Sequence, residues 1–188
     1  MQAVTAMKKI LILLCSLVFV LTSCEDEYSS LYSTKYRVQF DFDVNGSAEL
    51  ITAMGNPGQY VTVRRKSGTG LVRIENQFGG HDYTLRPNAY EVFAYGLGGL
   101  IIGTRSVPNI NDQFEPLAYD LACPNCDRPD CRLEIRDNGT AKCGKCSIVY
   151  DLNDNGVIVE ADNKPKDKVR GLYRYRIIYN GVTVRVFN

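Results

Sequence analysis

Of the 188 residues, only one is histidine: His81, in FGGHDY. No nucleophile stands at a recognisable spacing from it, so it reads as a hydrogen-bonded loop histidine. There is no GxSxG, HExxH, P-loop or paired-carboxylate pattern, which removes the common hydrolase, metalloprotease and nucleotidase sites. An excess of charge of one sign is also missing. Beyond residue 23 the chain carries 20 basic and 21 acidic residues, and a net charge near −1 gives no electrostatic case for nucleic acid. No apolar run approaches the roughly 20 residues that span a bilayer. After residue 24 no sustained i, i+3, i+4, i+7 apolar stripe occurs, so long amphipathic helices are not expected.

What is present reads as β-structure. YRVQFDFDV (36–44) alternates Tyr36, Val38, Phe40, Phe42 and Val44 with Arg37, Gln39, Asp41 and Asp43, giving one apolar and one polar face. QYVTVRR (59–65), GLVRIEN (70–76) and YEVFAYG (90–96) are further candidates, rich in Val, Ile, Tyr and Phe. Ten of the 16 glycines lie between 55 and 103, as many turns would require. RYRIIYNGVTVRVFN and LEIRDNGTAKC predict hairpins with type I′ turns at Asn180-Gly181 and Asn138-Gly139. A third DNG, Asp154-Asn155-Gly156, lies between SIVYDL and VIVE, and KPKDK (164–168) is a polar loop. DLNDNG lacks the downstream glutamate of an EF-hand and reads as a β-turn. Tyr173, Tyr175 and Tyr179 alternate along a strand and are expected in the core or in cross-strand pairs, and YGLGGLIIG (95–103) as a close-packed buried strand. The fold class is all-β, a sandwich or open barrel of many short strands.

The N-terminus reads as a leader. Lys8 and Lys9 precede Ile10 to Leu21, an apolar run of 12 residues, which suits a signal-peptide core. LTSC then leads into Cys24 and resembles a bacterial lipobox, which implies lipidation of Cys24 after cleavage; an ordinary secretory signal is the plainer alternative. EDEYSSLYST (25–34) is acidic and aperiodic, a tether that also resembles the surface-export signal of Bacteroidetes lipoproteins. The expected organisation is a signal peptide over 1–23, a tether over 24–34 and a β domain over 35–188.

The strongest chemical signal is DLACPNCDRPDCRLEIRDNGTAKCGKC (120–146). Cys123, Cys126, Cys143 and Cys146 follow Cx2C-x16-Cx2C, the spacing of a metal site. A CxxC turn converges two sulfurs on one ion, and backbone N–H groups in the turn donate to the thiolates. Pro124 is expected to stiffen the first turn and Gly144 to allow tight backbone in the second. Four thiolates on a divalent ion leave a charge of about −2, which Arg128, Arg132, Lys142 and Lys145 could offset. Disulfides are the rival, because export implies an oxidising space. A bridge between the pairs stabilises by roughly 3 kcal/mol, against about 10–16 kcal/mol for structural zinc in small peptides. The arrangement favours metal. Cys131 falls outside the spacing and is expected to be buried as a small apolar residue.

LACPN…CGKCSIVYDLNDNGVI resembles the two cluster loops of Rieske iron–sulfur proteins, C-x-H and C-x-x-H, over about 116–162. In particular it looks like Bacteroidetes lipoproteins with a Rieske-like fold and four cysteines in place of the usual ligands. The resemblance implies a Rieske-like β domain with a small inserted metal-binding subdomain on two hairpin loops. Cys123 and Cys143 stand at the loop cysteines, but Asn125 and Cys146 stand where histidines belong, and a Rieske centre needs two histidines on one iron. Four cysteines suit Zn²⁺, a single iron or an all-cysteine [2Fe–2S] cluster. The expectation is a non-catalytic, lipid-anchored protein of the cell envelope, placed at the outer membrane, that holds a structural zinc. An electron-transfer protein with iron or [2Fe–2S] at the same cysteines, and a disulfide-stapled lipoprotein, are the alternatives.

Overall fold

A computed structural model describes residues 31–84, 93–161 and 169–188. All of them fall in one unit, Leu31–Asn188. The leader, Cys24 and the first part of the tether, residues 90–92 of YEVFAYG, and KPKDK lie outside the described residues. Among the described residues no helix is long and apolar enough to cross a membrane.

Two antiparallel sheets make up the fold. The first nine-stranded sheet contains β1 (Val38–Asp43), β2 (Tyr60–Arg65), β3 (Leu71–Asn76), β4 (Gly79–Thr84), β5 (Ala94–Tyr95), β6 (Leu100–Thr104), β7 (Pro116–Asp120), β12 (Arg174–Tyr179) and β13 (Thr183–Phe187). Its order is β4-β3-β2-β6-β7-β12-β13-β1-β5. The second holds β8 (Leu133–Ile135), β9 (Thr140–Cys143), β10 (Val149–Asp151) and β11 (Val157–Glu160), in the order β11-β10-β9-β8. In the chain these four strands fall between β7 and β12, which pair with each other.

Side-chain alternation divides the interior into two cores. Phe40 of β1, Val61 and Val63 of β2, Val72 and Ile74 of β3, Leu100 and Ile102 of β6, Tyr175 of β12, and Val184 and Val186 of β13 share one cluster. The large sheet therefore curls around a common centre in the manner of an open barrel. Ile101 of β6 and Leu117 and Tyr119 of β7 belong to the other cluster, with Leu133, Ala141 and Tyr150 of the second sheet and Ile148 just before β10. A strand buried on both faces reads as a continuous apolar run, and LIIG in β6 is that strand, with every residue from Leu100 to Thr104 buried. Tyr173 and Tyr175 are buried and Tyr179 packs against the same core, as their alternation predicts.

Local structure departs from the sequence reading in two respects. Among the described residues there is one α-helix, α1, Ala48–Gly55, capped by Ser47, whose Oγ accepts from Leu50 N–H at 3.3 Å. It has two turns, and Leu50, Ala53 and Met54 are too few to make a sustained stripe. The turn types also differ. At the C-terminal hairpin the two-residue turn is Gly181-Val182: Asn180 N–H bonds Thr183 C=O, Gly181 has φ 90°, and Asn180 is not left-handed. Glycine at the first central position makes this type II′ rather than I′. At Asp137–Gly139 the loop has three residues, with Gly139 at φ 74° closing a bulge. Asn155-Gly156, with φ of 54° and 73° and a bond from Val157 N–H to Asp154 C=O, is the type I′ turn. DLNDNG is thus a turn, as expected.

Candidate metal centre

Cys123 follows β7 by three residues, and Cys143 ends β9. Pairing of Leu133 with Cys143 and an isolated bridge between Ala122 and Arg132 bring both CxxC turns to one end of the second sheet, opposite the Asp137–Gly139 loop. The two turns share one backbone form. Asp127 N–H bonds Cys123 C=O at 2.9 Å, and Ser147 N–H bonds Cys143 C=O at 2.9 Å. The residue after each second cysteine is left-handed, Asp127 at φ 54° and Ser147 at φ 59°. Gly144 was expected to supply conformational freedom, but it has an ordinary φ and open space around its Cα. Ser147 takes the left-handed position instead.

The Sγ atoms of Cys123, Cys126, Cys143 and Cys146 all lie within 4.8 Å of one another. Two contacts link the turns: Cys123 to Cys146 at 3.5 Å and Cys126 to Cys143 at 3.7 Å. An ion bound tetrahedrally at about 2.3 Å from each sulfur has S···S edges of roughly 3.8 Å, so the four residues fit one tetrahedral ion. All five described cysteines are free, and the sulfur separations far exceed the ~2.05 Å of a disulfide. No disulfide joins the described cysteines. Cys131 is buried apart from the four, its carbonyl accepting from Cys123 N–H at 2.8 Å.

Cys123 and Cys143 are fully buried, while Cys126 and Cys146 sit at the rim. Burial pushes the Cys123 thiol up to about 11. Burial and the adjoining thiols push Cys126 well above the usual range. Burial opposes ionisation of Cys143 too, but N–H donors from Cys146 and Lys145 and the neighbouring thiols outweigh it, and its pKa falls. Crowded thiols resist becoming four thiolates until a cation compensates them. That compensation does not come from the flanking bases by contact. Arg128 turns to Asp130, and Arg132 donates from Nε to Gly98 C=O at 3.0 Å. The donors to sulfur are the turn amides and one hydroxyl: Tyr150 Oη lies 3.3 Å from Cys123 Sγ and accepts from Asn125 Nδ2 at 2.9 Å. Asn125 is itself held by Arg170, whose N–H donates to Oδ1 at 2.9 Å and whose carbonyl accepts from Nδ2 at 2.8 Å. Such outer partners fix ligand orientation.

Two anchoring residues were not singled out from the sequence. Asp120, fully buried, accepts from the N–H groups of Leu97, Gly98 and Ala122 and from Tyr175 Oη, at 2.6, 3.0, 2.7 and 2.7 Å. It ties the glycine loop and the residue before Cys123 to the barrel. A lone acid inside the apolar run LAYDLAC was its signal, since charged residues are rarely buried without partners. Asp127 accepts from Lys35 Nζ at 2.6 Å, Tyr36 Oη at 2.8 Å and Tyr173 Oη at 3.0 Å, which links the first turn to the start of β1 and the approach to β12. His81 is not at the centre. Its Nδ1 lies 2.6 Å from Glu49 Oε1, and Glu49 also accepts from Tyr83 Oη and Ser47 Oγ. It is a hydrogen-bonded structural residue, as expected, though on β4 rather than a loop.

Comparison of the chain with family models, with curated proteins and with solved structures found no match.

Proposed function

We propose that this chain is a lipid-anchored protein of the cell envelope whose β domain is pinned by a structural zinc ion at Cys123, Cys126, Cys143 and Cys146. The observation that carries the proposal is the convergence of four sulfurs from two matching turns within 4.8 Å. A sulfur-only tetrahedron suits zinc or a single iron. The compact set speaks against a two-iron cluster, which divides its four cysteines between two metals. Zinc is favoured because a closed four-thiolate site, half of it sunk in the core, serves to hold chain segments together. A closed shell also leaves no position for water or substrate, so the site is non-catalytic. Anchoring through Cys24 rests on the leader and lipobox, and the two-loop layout resembles a Rieske-like frame with cysteine and asparagine where histidines belong.

The second reading is electron transfer by a single iron at the same cysteines. Amide and hydroxyl donors to the sulfurs favour it, because such bonds tune iron potentials. The visible spectrum of the purified full chain, with thiol titration before and after chelation, separates the two. Colourless protein whose four thiols become reactive only on chelation supports zinc. Charge-transfer bands that bleach on reduction replace it with electron transfer. Labelling with radioactive palmitate that disappears in Cys24→Ala supports the anchor; labelling that persists refutes it.

A further inference from the structure

A second site lies away from the cysteines, in a cleft of about 460 Å³ bordered by Arg37, Arg64, Arg65, Arg132 and the Gly96–Gly99 loop. Among the described residues no acidic side chain lines it. The loop forms its floor by direct backbone packing: a Cβ on Gly98 would meet Ala122 N at 2.7 Å, and one on Gly99 would meet Val63 O at 2.7 Å. That floor positions the arginines. Arg132 spends only Nε on Gly98 C=O, at 3.0 Å. The Arg64 stem passes 3.1 Å from where a Gly99 Cβ would stand. Gly96 N–H bonds Arg37 C=O at 3.1 Å and so ties the base of Arg37 to the same loop. Of the four guanidinium groups only Arg64 has a carboxylate partner among the described residues, Glu75, which Arg73 shares. Arg37 reaches the neutral Gln39 side chain. Asp120 lies under the loop with its carboxylate enclosed by four donors. Burial and the nearby charges of Arg132 and Arg73 lower the Arg64 pKa.

We propose that this cleft binds a tetrahedral oxyanion, the phosphoryl or sulfuryl group of a larger ligand, with Arg37, Arg65 and Arg132 as the principal donors. Three guanidinium groups around a concave glycine floor leave several N–H groups for bidentate contacts. A dianion relieves their mutual repulsion, which a neutral ligand cannot do. None of these arginines is a metal ligand, so the proposal stands whichever ion the cysteines hold.

Titration of the full chain with inorganic phosphate and, separately, inorganic sulfate tests it, with chloride keeping the ionic strength constant. The readout is the Nε–Hε resonances of the arginines. Saturable shifts are expected for Arg37, Arg65 and Arg132, with affinity read at Arg132 falling at least tenfold in Arg37→Gln/Arg65→Gln and severalfold in Arg65→Gln alone. Both side chains are exposed, so metal content and circular dichroism should stay as in the parent chain. The tighter of the two anions identifies the source group. Linear, non-saturating shifts with both anions, or saturation unchanged in the double variant, would overturn the proposal.

Discussion

Replacing Tyr150 by phenylalanine removes one oxygen from a fully buried ring and leaves the packing in place. Among the described residues that oxygen is the one side-chain hydroxyl within hydrogen-bond distance of a ligand sulfur, 3.3 Å from Cys123 Sγ. It accepts from Asn125, and burial raises its own pKa, so it stays protonated and donates to the thiolate. A hydrogen bond to a charged group contributes about 1.5–3 kcal/mol, and loss of an outer partner typically weakens metal affinity about 10–100-fold, which is the same range in free energy. Asn125 Nδ2 keeps its bond to Arg170 C=O, so Tyr150→Phe should not scatter the loop. Competitive titration of Zn²⁺ against a chromophoric chelator should therefore show Kd weakened by about 10–100-fold, with unchanged circular dichroism. A Kd within twofold of the parent would refute the assignment of Tyr150 as a donor to the ligand.

Further expectations follow from the same geometry. Cys143→Ser should abolish metal binding and loosen the second sheet, whereas Cys131→Ser should retain a full complement of metal; metal loss in the latter would put Cys131 in the ligand set. Gly144→Ala should change stability by no more than about 0.5 kcal/mol, because nothing lies near its Cα. Gly96→Ala should destabilise severely, because its Cβ would stand 2.3 Å from Asp120 Oδ2 at a φ of 69°; urea midpoints for the pair compare the two. Glu49 has its pKa lowered from 4.5 to about 2: burial opposes ionisation, but bonds from Tyr83, His81 and Ser47 prevail. A depressed carboxyl stabilises the fold above its unfolded pKa, and that contribution, about 3 kcal/mol, fades as pH falls from about 4.5 to 2. Urea denaturation at stepped pH should show this slope in the parent chain and a shallower one in Glu49→Gln; equal slopes would contradict it.

The strands were legible where one face meets a core and the other meets water. β1 and the final hairpin alternate cleanly, and Phe40, Val184 and Val186 point inward as their spacing requires. The CxxC pairs were equally plain, because the spacing is the geometry: each turn converges its own two sulfurs, and the β8–β9 hairpin brings the turns together. Other features depend on tertiary neighbours. β6 is buried on both faces only because a second sheet covers Ile101. Tyr150 becomes a partner of Cys123 only once β10 lies beside β9. The left-handed residues carry no sequence mark: Asp127 and Ser147 adopt that conformation under the bonds their N–H groups make back to Cys123 and Cys143, while Gly144 does not. The arginine cleft assembles residues from separate parts of the chain, 37, 64, 65 and 132, and no local spacing announces it.

X-ray absorption at the metal edge of the full chain, as isolated, tests the central claim most directly. The account predicts a zinc edge with four sulfur neighbours at about 2.3 Å and no nitrogen or oxygen in the first shell. An iron edge, or a zinc shell containing nitrogen or oxygen, would contradict it.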